Sequence, residues 1–157
     1  MDNWQDDITR LREARPRHIL FLCVANSARS QMAEALARAL APAGPRFSSA
    51  GSAPGRLHPD APAVLAEIGV YAPGLRAKGL GAVNAAGVDA VITLCAEEVC
   101  PAWLGEATRA HWPLADPAAV ADPAARREIF RNVRDELGFR LAALLADWPE
   151  DGETPAT

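Results

Sequence analysis

Residues able to do chemistry gather in three places along the chain: Cys23 with Arg29, the pair Cys95 and Cys100, and Asp116. Cys23 and Arg29 bracket the small-residue turn Cys23-Val24-Ala25-Asn26-Ser27-Ala28-Arg29, which joins the apolar run His18-Ile19-Leu20-Phe21-Leu22 to a helical pattern. A cysteine after an apolar strand is, on that fact alone, more often a small buried hydrophobe. The shortness of the strand-to-helix segment changes the balance. Successive backbone N–H groups converge on one point beside the positive end of a helix, and such a loop holds a tetrahedral oxyanion. The backbone of Val24, Ala25, Asn26, Ser27, Ala28, Arg29 and Ser30 then forms the cradle, and the Arg29 guanidinium adds a bidentate clamp. A thiol in an electropositive site at a helix N-terminus can have its pKa lowered from ~8.5 to ~3.5–7.5, and the thiolate attacks the bound anion. Ser30 either donates a hydrogen bond to that thiolate or caps the helix. Asn26 either holds a left-handed position that fixes the loop or is an ordinary turn residue.

A tetrahedral oxyanion releases oxide or alkoxide only with a proton, so a general acid is required. Asp116, in Leu114-Ala115-Asp116-Pro117, follows an apolar stretch and is placed for that role, although Asp-Pro pairs also mark ordinary turns. The second pair, Asp122-Pro123, reads instead as the start of the last helix, with Asp122 as its cap and Pro123 in its first turn.

These residues need elements to position them. Strands are expected over residues 18–22, 46–50, 88–94 and 107–112, and helices from Ser30, over 59–68, and along Ile129, Val133, Leu137, Leu141 and Leu144. Residues 1–15 can form a further short helix with Ile8, Leu11 and Ala14 on one side. Alternating strands and helices make an α/β three-layer sandwich with a four-stranded parallel sheet. Ligands in such sheets bind beyond the carboxyl ends of the strands, where Cys23, Cys95 and Asp116 all fall.

The 157 residues, half of them apolar, suffice for one core. The expected division is an extension over 1–15, one domain over 16–148 and a disordered tail over 149–157. A net charge of −4 argues against nucleic acid or an anionic membrane as partner. No apolar run approaches the ~20 residues of a membrane span, and the acidic N-terminus lacks a signal peptide's apolar stretch. A cytoplasmic monomer is therefore expected. Structural disulfides are rare in the cytosol, and three cysteines is an odd number, so reactive or buried thiols are the better reading. A zinc site is set aside: besides the pair Cys95 and Cys100, only Cys23, His18, His58 and His111 are soft ligands, with no second close pair.

The stretch Cys23-Val24-Ala25-Asn26-Ser27-Ala28-Arg29-Ser30-Gln31-Met32-Ala33-Glu34 resembles the signature of the low-molecular-weight phosphatase family. Ser49-Ala50-Gly51, Leu57-His58-Pro59 and Asp116-Pro117 resemble its landmarks in the right order, so the likeness spans residues 17–145. It implies the family's flavodoxin-like topology, with Cys23 as nucleophile, Arg29 as clamp and Asp116 as general acid. The segments Cys95-Ala96-Glu97-Glu98-Val99-Cys100-Pro101 and His111-Trp112-Pro113-Leu114-Ala115-Asp116-Pro117-Ala118 resemble the thioredoxin-coupled arsenate reductase branch. That branch implies a relay. Cys23 attacks arsenate, Cys95 attacks the adduct and frees arsenite, and Cys100 takes over the disulfide for delivery to a reductant. The implied partners are arsenate and thioredoxin, or glutathione with glutaredoxin, with no bound cofactor. Only four residues separate Cys95 and Cys100, fewer than in many relatives.

Geometry supports the relay independently. Neighbouring strands lie ~4.8 Å apart, within the ~4.4–6.8 Å that disulfide-linked Cα atoms span, so Cys23 and Cys95 come near bonding range if the first and third strands are adjacent. On a regular helix Cys95 and Cys100 would stand roughly 8–9 Å apart, too far for a bond, so their segment must loop or unwind. Some relatives bind potassium beneath the loop through residues matching Asn26 and Glu34 and a later acidic residue. The matching region here, Leu75-Arg76-Ala77-Lys78-Gly79, is basic. Arg76 and Lys78 read as solvated surface charges, the alternative being that one replaces the ion beside Glu34. Two rival functions remain. A tyrosine phosphatase would want an aromatic residue beside Asp116-Pro117, where Ala118 and Ala119 stand. A non-enzymatic arsenite-binding dithiol protein would need neither Arg29 nor Asp116.

Overall fold

Every residue of β1 (His18–Cys23) is buried, as a strand must be when both faces of its sheet are covered. The computed structural model describes residues 3–96 and 106–148. Around β1 lie β2 (Arg46–Gly51), β3 (Ala90–Thr93) and β4 (Thr108–His111), in the order β2-β1-β3-β4. All pairs are parallel, with Leu22 beside both Ala50 and Thr93, and Thr93 beside His111. This is the doubly wound sheet that the alternating pattern predicts, with the chain reversing direction across the sheet next to β1.

The helices are α1 (Trp4–Ala14), α2 (Arg29–Leu40), α3 (Asp60–Ala66) and α4 (Pro123–Leu145). Alternate residues of β1 serve opposite layers. Ile19 and Phe21 join Phe47, Ile92 and the apolar sides of the helices in the main core. Leu20 and Leu22 join Ala50, Val88 and Val91, packed by Leu80, Val83 and Ala107. In α4, Val133, Leu137, Leu141 and Leu144 are buried as their spacing predicts. Its start is also as read: Asp122 accepts a hydrogen bond from the Ala125 N–H at 2.8 Å, with Pro123 in the first turn.

The N-terminal helix buries Ile8 and Leu11 and packs on β4 and α4, while Ala14 is exposed. Arg12 ties it down by donating to the Leu144 and Ala146 carbonyls at the end of α4. Two elements are shorter than their apolar patterns. Val88 stays out of β3 because its N–H turns back to the Ala85 carbonyl. The third helix ends before Ile68 in a tight turn at Gly69, whose φ of +78° is left-handed. Among the described residues no helix is long and apolar enough to cross a membrane.

His18, at the end of the sheet away from Cys23, bonds Ser48 Oγ through Nε2 at 2.7 Å, while Nδ1 is buried without a partner among the described residues. Burial, and then Arg46, hold its pKa below the ordinary 6.5, with Asp89 opposing. The unfolded chain therefore takes up this proton first as pH falls. Stability should drop as pH is lowered from 6.5 toward the folded value. Urea unfolding of wild type and His18→Gln at pH 7.5 and 5 should show a smaller loss in the variant.

Candidate active site

The loop over residues 24–28 hangs between the end of β1 and the start of α2, and a neighbouring segment braces it from outside. The N–H groups of Ala53, Gly55 and His58 donate to the carbonyls of Val24, Ala25 and Ser27 at 3.0, 3.0 and 2.9 Å. In a trans peptide the next residue's N–H points opposite the carbonyl, and no peptide here is cis. The N–H groups of Ala25, Asn26 and Ala28 therefore face away from the brace, and that of Asn26 meets Cys23 Sγ at 3.2 Å. Gly51 passes directly beneath. A Cβ there would collide with the Val24 carbonyl and lie 2.9 Å from the Asn26 nitrogen, so any side chain would push the loop off the sheet.

Asn26 adopts φ 50°, the left-handed conformation that asparagine tolerates. Its buried side chain accepts from the Lys78 N–H at 2.8 Å and donates to Ser30 Oγ at 2.7 Å. Ser30 Oγ in turn lies 2.9 Å from Cys23 Sγ. The residue flanking α2 at its start is Ala28, with no side-chain cap bond, so the Ser30 hydroxyl serves the sulfur rather than the helix end. Cys23 is a free thiol, 2% exposed.

Arg29 opens α2 and reaches across the carboxyl edge of the sheet. Its buried guanidinium donates to the Leu114 carbonyl at 2.8 Å and the Leu94 carbonyl at 3.4 Å, and comes within 4.0 Å of Asp116 Oδ2. It thereby bridges the segments that leave β3 and β4. Asp116 caps a short 3-10 turn (Pro117–Ala119), its Oδ1 accepting from the Ala118 N–H at 3.0 Å. One carboxylate oxygen is thus fixed and the other faces Arg29, on a side chain 35% exposed.

Cys95 follows β3 at the same edge, where the Leu94 N–H bonds the Leu22 carbonyl at 2.9 Å. It is buried, and its sulfur is in a disulfide. The strands that lead into Cys23 and Cys95 are neighbours, which meets the condition for the two to approach. Cys100 lies outside the described residues. Cys23, Arg29, Cys95 and Asp116 are therefore brought to one edge by three separate segments of chain. Among the described residues no group of His, Cys, Asp and Glu is placed to hold a metal ion.

One expectation is corrected. Arg76 is exposed, as a solvated charge would be, but Lys78 is not. Its Nζ lies 3.7 Å from Glu34 Oε1, 3.4 Å from Ser49 Oγ and 3.0 Å from the Arg76 carbonyl. Glu34 is 3% exposed and also meets Arg38 at 3.0 Å and Ser49 Oγ at 3.1 Å. A buried carboxylate requires a cation, and the Lys78 backbone, bonded to Asn26 and Gly51, holds this ammonium within reach. Burial presses the Lys78 pKa below the usual lysine range while Glu34 opposes.

Gln31, which spacing did not single out, is buried beside the loop. Its Nε2 faces Asn26 O at 3.0 Å, Asn26 Oδ1 at 2.9 Å and the Arg76 carbonyl at 2.6 Å. The one signal in the sequence is its position, a polar side chain on a turn of α2 that is buried on every side. His58 has a framing part: its backbone braces Ser27, and its ring lies 4.8 Å from Phe130. Nearby, burial works to raise the Asp60 pKa, but hydrogen bonds from Arg127 and Arg126 outweigh it and hold the carboxyl below its ordinary value.

A thiol and an arginine sit at the two ends of a short loop that follows an interior strand of a doubly wound sheet, and this arrangement defines the class of the fold. The chain belongs to the low molecular weight phosphotyrosine protein phosphatase family, whose model matches residues 18–153. It is 33% identical over 132 residues to the glutaredoxin arsenate reductase of Synechocystis sp., covering 83% of this chain and 97% of that protein. An arsenate reductase solved in its phosphate binding state is 32% identical, with a TM-score of 0.71, covering 85% of this chain and 99% of the other. The thioredoxin-dependent arsenate reductase of Corynebacterium glutamicum is 27% identical with a TM-score of 0.60, covering 89% and 70%.

Proposed function

We propose that this chain reduces arsenate to arsenite with paired thiols and takes its electrons from an external thiol reductant. The observation that carries this reading is the pairing of β1 with β3, which sets Cys23 and Cys95 at the ends of adjacent strands. A phosphatase needs one thiol; a two-electron reduction needs two. The arsenate reductases among its relatives support the same reading.

Arsenate enters the loop and is held by inward N–H groups and Arg29. Cys23 attacks arsenic, and Asp116 protonates the departing oxygen, which leaves as water. Cys95 then attacks Cys23 sulfur. The S–S bond forms as the S–As bond breaks, and the electron pair stays on arsenic, which leaves as arsenite. Two thiols are oxidised and As(V) becomes As(III). Cys100 attacks the new disulfide and passes it outward. Relatives coupled to glutaredoxin and to thioredoxin support a thiol protein as electron donor, and the resemblance in the cysteine segment favours thioredoxin.

The deciding assay is arsenite formation from arsenate with thioredoxin, or with glutathione and glutaredoxin, as the sole reductant. No arsenite with either would overturn the reading. Asp116→Asn should slow the chemical step about 100-fold or more while oxyanion binding changes little, because the proton is needed in the transition state and not in the ground state. A wild-type rate in rapid-quench single turnover would remove Asp116 as the acid.

A further inference from the structure

A backbone N–H can only donate, and this fixes the orientation of the Asn26 amide beside Cys23. The Lys78 N–H meets the Asn26 side chain at 2.8 Å, so the oxygen of that amide faces Lys78. Its nitrogen must then face Ser30, where it donates to Oγ at 2.7 Å. The Ser30 oxygen is an acceptor in that bond, which leaves its one proton for Cys23 Sγ at 2.9 Å, the direction required when the sulfur is a thiolate. The same logic sets Gln31. Two oxygens of Asn26 and the Arg76 carbonyl converge on one point, and only the nitrogen end of the Gln31 amide can occupy it. Its Oε1 is left buried and without a partner among the described residues. Such an orphan costs free energy, which the two protons of the nitrogen, shared among the three acceptors, offset.

We infer that Gln31 is a positioning residue for Cys23: by joining Asn26 to the carbonyl of Arg76 it holds the Lys78 N–H in register with the Asn26 amide, which directs the Ser30 proton onto the sulfur. Gln31 is the one described side chain that bonds both the left-handed residue of the loop and the segment at 76–78. Without it the buried Asn26 carbonyl loses a donor, the Arg76 carbonyl keeps only Lys78 Nζ, and the amide that aims Ser30 loses its second anchor. A hydroxyl free to turn its proton elsewhere no longer favours the thiolate over the thiol.

The role bears on catalysis only if Cys23 is the nucleophile, as proposed above, so the readout is kept separate from arsenite. Cys23 alkylation by iodoacetamide is followed against pH, with the modified peptide identified by mass, in wild type, Gln31→Met, Ser30→Ala and the double variant. Gln31→Met should move the alkylation midpoint up by about one pH unit, or about tenfold slower reaction at a fixed pH below it. In the Ser30→Ala background the same change should produce no further shift, because the effect travels through the hydroxyl. An unmoved midpoint, or an equal shift with Ser30 absent, would overturn the inference. Should Gln31→Met fail to fold, the wild-type chain carries the test. The side-chain amide resonances of Gln31 should titrate with the Cys23 midpoint, and a flat response rules the coupling out. Arsenate reduction by Cys23→Ser would instead sink the proposed function and leave the alkylation result standing.

Discussion

Cys23→Ser should lose arsenate reduction and any phosphate-ester hydrolysis together, each by more than about a thousandfold. In the mechanism proposed above, both reactions would draw on one sulfur, which the Asn26 N–H and Ser30 Oγ contact. A serine hydroxyl fits the same space but ionises far less readily, and no other described thiol is free. The cradle itself does not need the sulfur, since Ala53, Gly55 and His58 hold the loop carbonyls. Phosphate should therefore still raise the variant's melting temperature while turnover is gone. The measurements are arsenite release, hydrolysis of an aryl phosphate, and thermal unfolding with and without phosphate. Loss of reduction with hydrolysis intact would mean that two different groups do the two jobs.

The residues that act at this edge were legible because strand patterns are short and local. Two clear apolar runs and two weaker strand patterns, each followed by a turn, put Cys23, Cys95 and Asp116 beyond strand ends. The order of the strands was not legible from the runs themselves; it depends on packing between distant segments, and the adjacency of β1 and β3 came only as a condition. Lys78 was misread for the same reason. A lysine in a polar turn is solvated by default, and what overrides this is Glu34, 44 positions away in the chain and buried on α2. Gln31 stands within the signature stretch, but its role was not legible because its partners are a backbone carbonyl at Arg76 and the two oxygens of Asn26. Hydrogen bonds to backbone follow from the path of the chain, which residue spacing does not encode.

Cys95→Ser and Cys100→Ser should fail at different steps, and the burial of the sulfurs says why a third thiol is needed. Cys23 and Cys95 are 2% and 1% exposed. Thiol–disulfide exchange requires a thiolate to reach sulfur directly, and burial this deep disfavours attack by a protein reductant on a disulfide between these two. In Cys100→Ser the first two thiols still close on each other. One equivalent of arsenite should form, after which the chain stalls as a Cys23–Cys95 disulfide and thioredoxin restores little. In Cys95→Ser the Cys23–arsenic adduct has no other thiol among the described residues to accept it, and not even one turnover should follow unless a small thiol is added. Single-turnover arsenite measurement with mass mapping of disulfides separates the cases: about one equivalent per chain against none. Sustained turnover by Cys100→Ser with thioredoxin would show that the third cysteine carries no electrons, and the oxidised pair would then have to be opened by a small thiol entering the site. A full equivalent of arsenite from Cys95→Ser would mean that Cys100 reaches Cys23 directly, and that the order of the relay is the reverse of the one proposed.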